Sequence, residues 1–297
     1  MLSIVTPTYN RRHTLPKLYE SLKENYEFTH DFEWIVVDDG SNDDTKSLIL
    51  TWQKESPFTI RYFYKKNGGK MQALNFAIPK AKGDKILEVD SDDFLEKNAI
   101  FTIEQDFSLV EEKNDVYAAI YLRRFIGEEN PTYFKEEKSI KKIFDLYMKE
   151  GFNKDTSIVF KANIRKKYHH KLENNEKFVT EARMYNEIDL DYRGVMCFNK
   201  SLIVCEYQED GYSKNIDKVI KNNPYGYYNY FKEMFNLNLK KLPFNKRLYI
   251  IKHFILFSYL TKKSKLSTIK NTKGIFNKLL TTILVLPGYL VSKKRFG

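Results

Sequence analysis

The sequence predicts an α/β fold: a mostly parallel central sheet flanked by helices, followed by a basic helical tail. Three observations predict it. Short apolar runs alternate with helix-periodic segments through residues 1–93. The apolar runs end in polar clusters: Thr8-Tyr9-Asn10, Asp38-Asp39, Asn67-Gly68-Gly69-Lys70 and Asp90-Ser91-Asp92-Asp93. From Lys240 onward, Lys and Arg recur and no Asp or Glu is present.

Residues 3–6 form a short apolar run closed by Pro7, the mark of a buried strand and a turn. Positions 15, 18, 19 and 22 are apolar and share one face of a helix. Residues 32–37 predict a second buried strand, and 44–52 a helix. Residues 60–64 predict a third strand, and 71–78 a helix of good helix formers. Residues 85–89 predict a fourth strand that runs straight into the acidic cluster. This alternation calls for parallel strands joined by right-handed crossovers. Ligands of such sheets bind beyond the carboxyl ends of the strands, where the four polar clusters stand.

Beyond Phe94 the pattern loosens. Helices are expected over 99–110, 139–149 and within 181–189. Strands are expected at 117–121, 156–161 and 195–207, with a loop or hairpin over 127–137. From Asn222 the chain turns Tyr-rich and then basic and amphipathic, so a boundary is placed near residue 218.

Of the 297 residues 42% are hydrophobic and 15% aromatic, enough for a sizeable core. Lys and Arg exceed Asp and Glu by 50 to 39, a charge of +11. That excess favours an anionic partner, whether phosphate, nucleic acid or an anionic membrane face. No nucleic-acid motif is present, so no nucleic acid is expected as partner. Cys197 and Cys205 are the only cysteines, which excludes a disulfide scaffold and a zinc site. Residues 2–5 already read as a strand, so a cytoplasmic location without a secretory signal is expected. No membrane-spanning helix is expected. Residues 248–260 are interrupted by Lys252 and His253, and residues 275–291 by Lys278 and Pro287.

Three carboxylates within residues 90–93 repel one another unless a cation binds them. Mg²⁺ and Mn²⁺ take oxygen ligands, commonly one or two carboxylates with substrate phosphates. The alternative is a solvated acidic helix start with Asp as N-cap. Asp38 and Asp39 suit ribose hydroxyls or a base N–H, or equally a turn before a capped helix. Asn67-Gly68-Gly69-Lys70 offers close backbone approach and one ammonium for phosphate, though it lacks Walker A spacing. Thr180-Glu181-Ala182-Arg183 is unmarked by spacing; a lone Glu is usually a solvated surface residue.

These residues, in order, resemble a known family. Residues 3–11 (Ser-Ile-Val-Thr-Pro-Thr-Tyr-Asn-Arg), Val36-Val37-Asp38-Asp39-Gly40-Ser41, residues 67–75 from Asn67-Gly68-Gly69-Lys70, and Val89-Asp90-Ser91-Asp92-Asp93 are similar to family 2 glycosyltransferases. The resemblance implies an inverting enzyme with a GT-A (Rossmann-like) fold. It implies that Pro7, Thr8 and Tyr9 line a uracil and ribose pocket and that Asp39, with Asp38, contacts uracil or ribose. Lys70 would lie near the diphosphate, and Asp90 with Ser91 would face the ribose. Asp92 would bind the divalent cation, Mn²⁺ or Mg²⁺, with Asp93 nearby. Glu181 stands where relatives carry a Glu-Asp base motif, and is the expected catalytic base. Ser213 and Lys214 lie in a segment that closes over the diphosphate in some relatives.

The implied domains are a catalytic domain, 1–218, and a helical basic region, 219–297. Within the first, 1–95 is the nucleotide-binding half and 96–218 the acceptor-binding half. The implied donor is a nucleotide sugar, a UDP-sugar, and the implied acceptor a glycan or lipid-linked glycan. The basic tail adds an expected contact with an anionic membrane surface, placing the chain at the inner face of the cell membrane; packing on the core is the alternative. A metal-dependent nucleotidyltransferase and a non-catalytic nucleotide- or glycan-binding module are the competing readings.

Overall fold

The computed structural model describes residues 1–128, 132–206, 208, 214–237 and 239–296. It opens with β1 (Leu2–Thr8), α1 (Leu15–Tyr26), β2 (Phe32–Asp38), α2 (Thr45–Glu55), β3 (Thr59–Tyr64), α3 (Lys70–Ala77), β4 (Lys85–Glu88) and β5 (Phe94–Leu95). Next come α4 (Ala99–Glu111), β6 (Val116–Phe125), β7 (Ile140–Lys141), α5 (Ile143–Met148), β8 (Thr156–Lys161) and α6 (Ala162–Arg165). Then follow α7 (Glu181–Asp191), β9 (Gly194–Cys205), α8 (Ile216–Asn222), α9 (Pro224–Met234), α10 (Phe244–Leu260), α11 (Lys265–Asn271) and α12 (Ile275–Phe296).

Nine strands form one sheet in the order β3-β2-β1-β4-β8-β6-β9-β5, with β7 also pairing β9. The first four strands are parallel throughout. The later strands mix senses: β8 runs antiparallel to β4 and β6, whereas β6 and β9 are parallel. The crossover helices bury the faces their periodicity predicts: Leu15, Leu18, Tyr19 and Leu22 of α1 are all buried.

β1 runs on through Pro7 to Thr8, two residues past the turn the proline suggests. Its carbonyls alternate sides: Thr8 accepts from Asp39 on the β2 side, and Val5 accepts from Val89 on the β4 side. Pro7 therefore turns its nitrogen to the β4 side, where pairing ends at Val5↔Glu88. Its missing N–H costs no ladder bond there.

The expected helix over 139–149 is half strand, β7, and half helix, α5. The cause is tertiary. Ile140 and Lys141 pair with Met196 and Val195. A Cβ on Gly194 would lie 2.2 Å from the Lys141 carbonyl oxygen, so glycine permits this approach.

Glu33 shows what holds the parallel half together. It lies on β2 and is 2% exposed. It accepts hydrogen bonds from Ser3 Oγ at 2.6 Å, the Lys82 N–H at 2.6 Å and Arg61 at 2.9 Å. Burial pushes its carboxyl up, but these hydrogen bonds and the Arg61 charge outweigh it and hold it below the usual range. Such a group stabilises above its unfolded pKa and loses that contribution as pH falls through the folded value. Glu33→Gln should therefore cost about 2 kcal/mol at pH 7. The deficit against the native chain should shrink once the pH is below about 4. Urea unfolding of both proteins at pH 7 and pH 3.5 checks this; a deficit independent of pH counts against it.

The chain forms two compact units. The first comprises Met1–Ile143, Phe152–His170 and Glu187–Glu209; the second comprises Phe144–Gly151, Lys171–Asn186 and Asp210–Gly297. The first holds the sheet and a core that includes Trp34, Trp52, Phe107 and Phe198. The second has its own core, centred on Tyr228, Phe231, Ile251, Phe254 and Phe257 from α9 and α10. Inside it, Arg183 is held by Glu233 and by the Lys171 carbonyl.

The tail differs from expectation in one respect. α12 is a continuous 22-residue helix. By length and composition it is able to cross a membrane, the one such helix among the described residues. Pro287 does not break it. The carbonyl that Pro287 cannot serve is that of Ile283, and both residues lie on the exposed face, where water can take it.

Candidate active site

Four loops meet at the carboxyl ends of β1 to β4, and side chains fasten them to one another. Asn10, left-handed with φ 53°, donates its N–H to Ser41 Oγ at 2.9 Å and accepts from the Asn42 N–H at 2.8 Å. The Thr14 hydroxyl donates to the Ser91 carbonyl at 2.8 Å. Thus the loops after β1, β2 and β4 are tied before any ligand binds. Pro7, Thr8 and Ser91 are buried, and the Tyr9 ring is 45% exposed. The Thr8 hydroxyl is buried and has no hydrogen-bond partner among the described residues.

Asp38 and Asp39 are both buried and both occupied. Asp38 accepts from the Ser41 N–H at 2.7 Å and from the Tyr62 hydroxyl at 2.8 Å. Burial first, and then this bond to Asp38, push the Tyr62 hydroxyl well up. Asp39 accepts from the Gly68 N–H at 3.0 and 3.1 Å, the Gly69 N–H at 2.6 Å and Lys65 Nζ at 2.5 Å. Its carboxylate thus sits at the N-terminus of α3, where backbone N–H groups and the helix dipole favour an anion. Gly69, with φ 92°, makes the bend that aims these N–H groups at Asp39.

In the acidic cluster the three carboxylates have different surroundings. Asp90 pairs with Lys70 at 2.6 Å, and Arg123 stands 4.0 Å away. Asp93 accepts from Arg123 at 3.1 Å and is 6% exposed. Burial pushes the Asp93 carboxyl well above the usual range. Arg123 opposes that rise, while Asp90 and Asp92 add to it. Asp92 has no ion pair within 4 Å and no hydrogen-bond partner beyond its own backbone among the described residues. Burial and then the Asp90 charge raise its pKa; Arg11 and Lys70 temper this at longer range. Asp92 is therefore a half-buried carboxylate short of positive charge, which suits a divalent cation.

The structure thus brings Pro7, Thr8, Tyr9, Asp38, Asp39, Lys70, Asp90, Ser91, Asp92 and Asp93 together in the first unit. Glu181 and Lys214 belong to the second unit. Glu181 is the first residue of α7, half-buried, and accepts from the Tyr185 hydroxyl at 3.2 Å. Lys214 is exposed in the turn before α8, and Ser213 lies outside the described residues. Two site residues escape the sequence reading. Lys65 carries no signal in its local sequence. Arg123 does: it follows the apolar run 116–122, as the other clusters follow theirs.

Polar and charged groups gathered at the carboxyl ends of parallel strands stand where open α/β sheets bind their ligands. The family model described as Glycosyl transferase family 2 matches residues 3–173, and the chain belongs to that family. Its fold is GT-A. It superposes on the crystal structure of Staphylococcus aureus TarS 1-349 in complex with UDP-GlcNAc with a TM-score of 0.60, covering 99% of this chain and 90% of that one. At 15% identity that likeness concerns the fold. In sequence the chain is 38% identical over 101 residues to the uncharacterized glycosyltransferase MG060 homolog of Mycoplasma pneumoniae, covering 33% of this chain and 34% of that protein. It is 35% identical over 130 residues to the GalNAc(5)-diNAcBac-PP-undecaprenol beta-1,3-glucosyltransferase of Campylobacter jejuni, covering 43% and 39%. The chain thus spans well under two thirds of the length of either relative.

Proposed function

We propose that the chain transfers a sugar from a UDP-sugar to a glycan or lipid-linked acceptor, with inversion and with a divalent cation, in cell-surface polysaccharide synthesis at the inner face of the membrane. The observation that carries this reading is Asp92: half-buried, repelled by Asp90, with no ion-pair partner among the described residues, and near a lysine suited to phosphate. The UDP-GlcNAc of the structural relative supports the donor class. The undecaprenol-linked substrate in the Campylobacter jejuni enzyme's name supports the acceptor class.

In this reading Asp92 holds the cation, with Asp90 beside it, and Asp93 anchors the turn through Arg123. Bound Mg²⁺ or Mn²⁺ supplies Lewis-acid neutralisation of the leaving diphosphate. Lys70, now on Asp90, can exchange that carboxylate for a donor phosphate oxygen. The Thr8 hydroxyl and Tyr9 are the groups left to meet ribose and base. Asp38 and Asp39 act through the loops they hold. Glu181 takes the proton of the acceptor hydroxyl as that oxygen bonds to the anomeric carbon and the bond to the diphosphate breaks. A single displacement of this kind inverts the anomeric centre. The catalytic part is 1–218, with 219–297 as the basic helical region.

The test is a screen of UDP-sugars with Mn²⁺ or with EDTA, scoring released UDP and thermal shift together. Cation-dependent UDP release is expected. Release of pyrophosphate identifies a nucleotidyltransferase, and a thermal shift without turnover a binding module. Glu181→Gln should lower kcat by about 10³-fold and leave donor binding unchanged. Loss of donor binding in that variant removes Glu181 from the base role.

A further inference from the structure

Helix α12 buries a mixed face: Asn277, Thr281, Val285 and Ser292 are buried, and Leu280, Leu284 and Tyr289 pack on the core of the second unit. The Thr272 hydroxyl donates to the Thr281 hydroxyl at 3.2 Å, and Arg247 donates to Asn277 Oδ1 at 3.1 Å. The Tyr289 hydroxyl donates to the Lys263 carbonyl at 2.8 Å. The opposite face carries Ile275, Leu279, Ile283, Leu286 and Leu290, each between 53% and 92% exposed. Their spacing of three and four residues makes one stripe along the helix, about 22 Å long. Contiguous apolar surface of this kind marks an interaction site.

The charge around the stripe names the partner. Lys278, Lys293 and Lys294 on α12, and Lys262, Lys265, Lys270 and Lys273 before it, are exposed. From Lys240 to the end there are 14 Lys and Arg and no Asp or Glu. A second copy of the chain would set this basic rim against itself, with no acid to pair with it. An anionic lipid surface matches both parts: acyl chains for the stripe and phosphate headgroups for the rim.

We propose that this face of α12 binds an anionic bilayer and lies in the plane of the interface. It does not cross the bilayer. Crossing would carry Asn277 and Thr281 into hydrocarbon and break the hydrogen bonds that Arg247 and Thr272 make to them. The proposal deepens the lipid-linked-acceptor reading above by naming the surface that meets the membrane.

The test is flotation of the full chain with vesicles of phosphatidylcholine alone or with 3:7 phosphatidylglycerol:phosphatidylcholine. The doubly substituted Leu279→Glu/Ile283→Glu is run beside it. Both positions are exposed, so folding should survive; equal melting temperatures confirm it. Binding should require phosphatidylglycerol, weaken in high salt, and fall at least tenfold in the variant. Equal binding by the variant overturns the role of the stripe. Binding that resists a carbonate wash overturns the in-plane placement. A native dimer that the variant turns into a monomer, without vesicle binding, assigns the face to a second copy instead. UDP release in water-soluble conditions is scored in parallel. Its loss in the native chain would defeat the transferase reading and leave the membrane result standing.

Discussion

Asp92→Asn should abolish cation-dependent sugar transfer and at the same time leave the protein as stable as before, or slightly more so. The two effects come from the same charge. Burial and Asp90 raise the Asp92 pKa above its unfolded value. Such a group favours folding below its unfolded pKa and loses that contribution as pH rises through the folded one. The negative charge that burial and Asp90 disfavour is thus a liability that a bound cation turns into an asset. The variant's melting temperature without cation should equal or exceed that of the native chain. The rise on adding MnCl₂, clear in the native protein, should vanish. Turnover should fall by about 10³-fold, the scale on which a single electrostatic partner of the transition state acts. Thermal shift across an MnCl₂ titration, with UDP release on the same samples, reads all three. An unchanged shift with Mn²⁺ would remove Asp92 from cation binding.

Asp39→Ala should be the most destabilising loop substitution near the site. The carboxylate takes two backbone N–H groups and the Lys65 ammonium, and it is 3% exposed. Removing it leaves a largely buried cation and two N–H groups at the start of α3 without their acceptor. Truncating one partner of a buried pair costs about 3–5 kcal/mol. Donor binding should fall with it, because the loop holding Lys70 is no longer fixed. Asp39→Asn, which keeps one acceptor oxygen, should lose roughly half as much. Both tryptophans, Trp34 and Trp52, lie in the core of the first unit, so urea unfolding followed by their fluorescence reports on it directly. An unchanged unfolding midpoint for Asp39→Ala would show that the loop stands without the carboxylate.

The first half of the fold was legible because its signals are local. Apolar runs, helical spacing and turn residues placed β1 to β4 within two residues, while α1 and α2 run four and three residues beyond the ends that the spacing showed. The polar strand ends marked the site by the same logic, and Arg123 obeys it too. Pairing in the second half was not legible. β8 inserts between β4 and β6, and Ile140 and Lys141 leave a helical pattern to join β9. Both depend on partners 34 to 76 residues distant, which local periodicity does not encode. The tail's apolar positions were readable as well, but the face α12 turns inward was not. Thr281 and Asn277 are buried there because hydrogen-bond partners on neighbouring segments receive them, while the Ser292 hydroxyl donates to the Gly288 carbonyl one turn back.

By itself the sequence determined the α/β alternation, the place of the candidate site at the strand ends and the supply of carboxylates. These follow from backbone geometry and short-range pattern. Only the tertiary structure decided what each carboxylate does. Lys65 and the α3 N-terminus hold Asp39, Lys70 holds Asp90, and Arg123 holds Asp93. Those cations come from other segments of the chain, and the sheet topology sets which of them arrives where. Asp92 is the carboxylate that none of them reaches within ion-pair distance, and its shortage of positive charge exists only once the chain has folded.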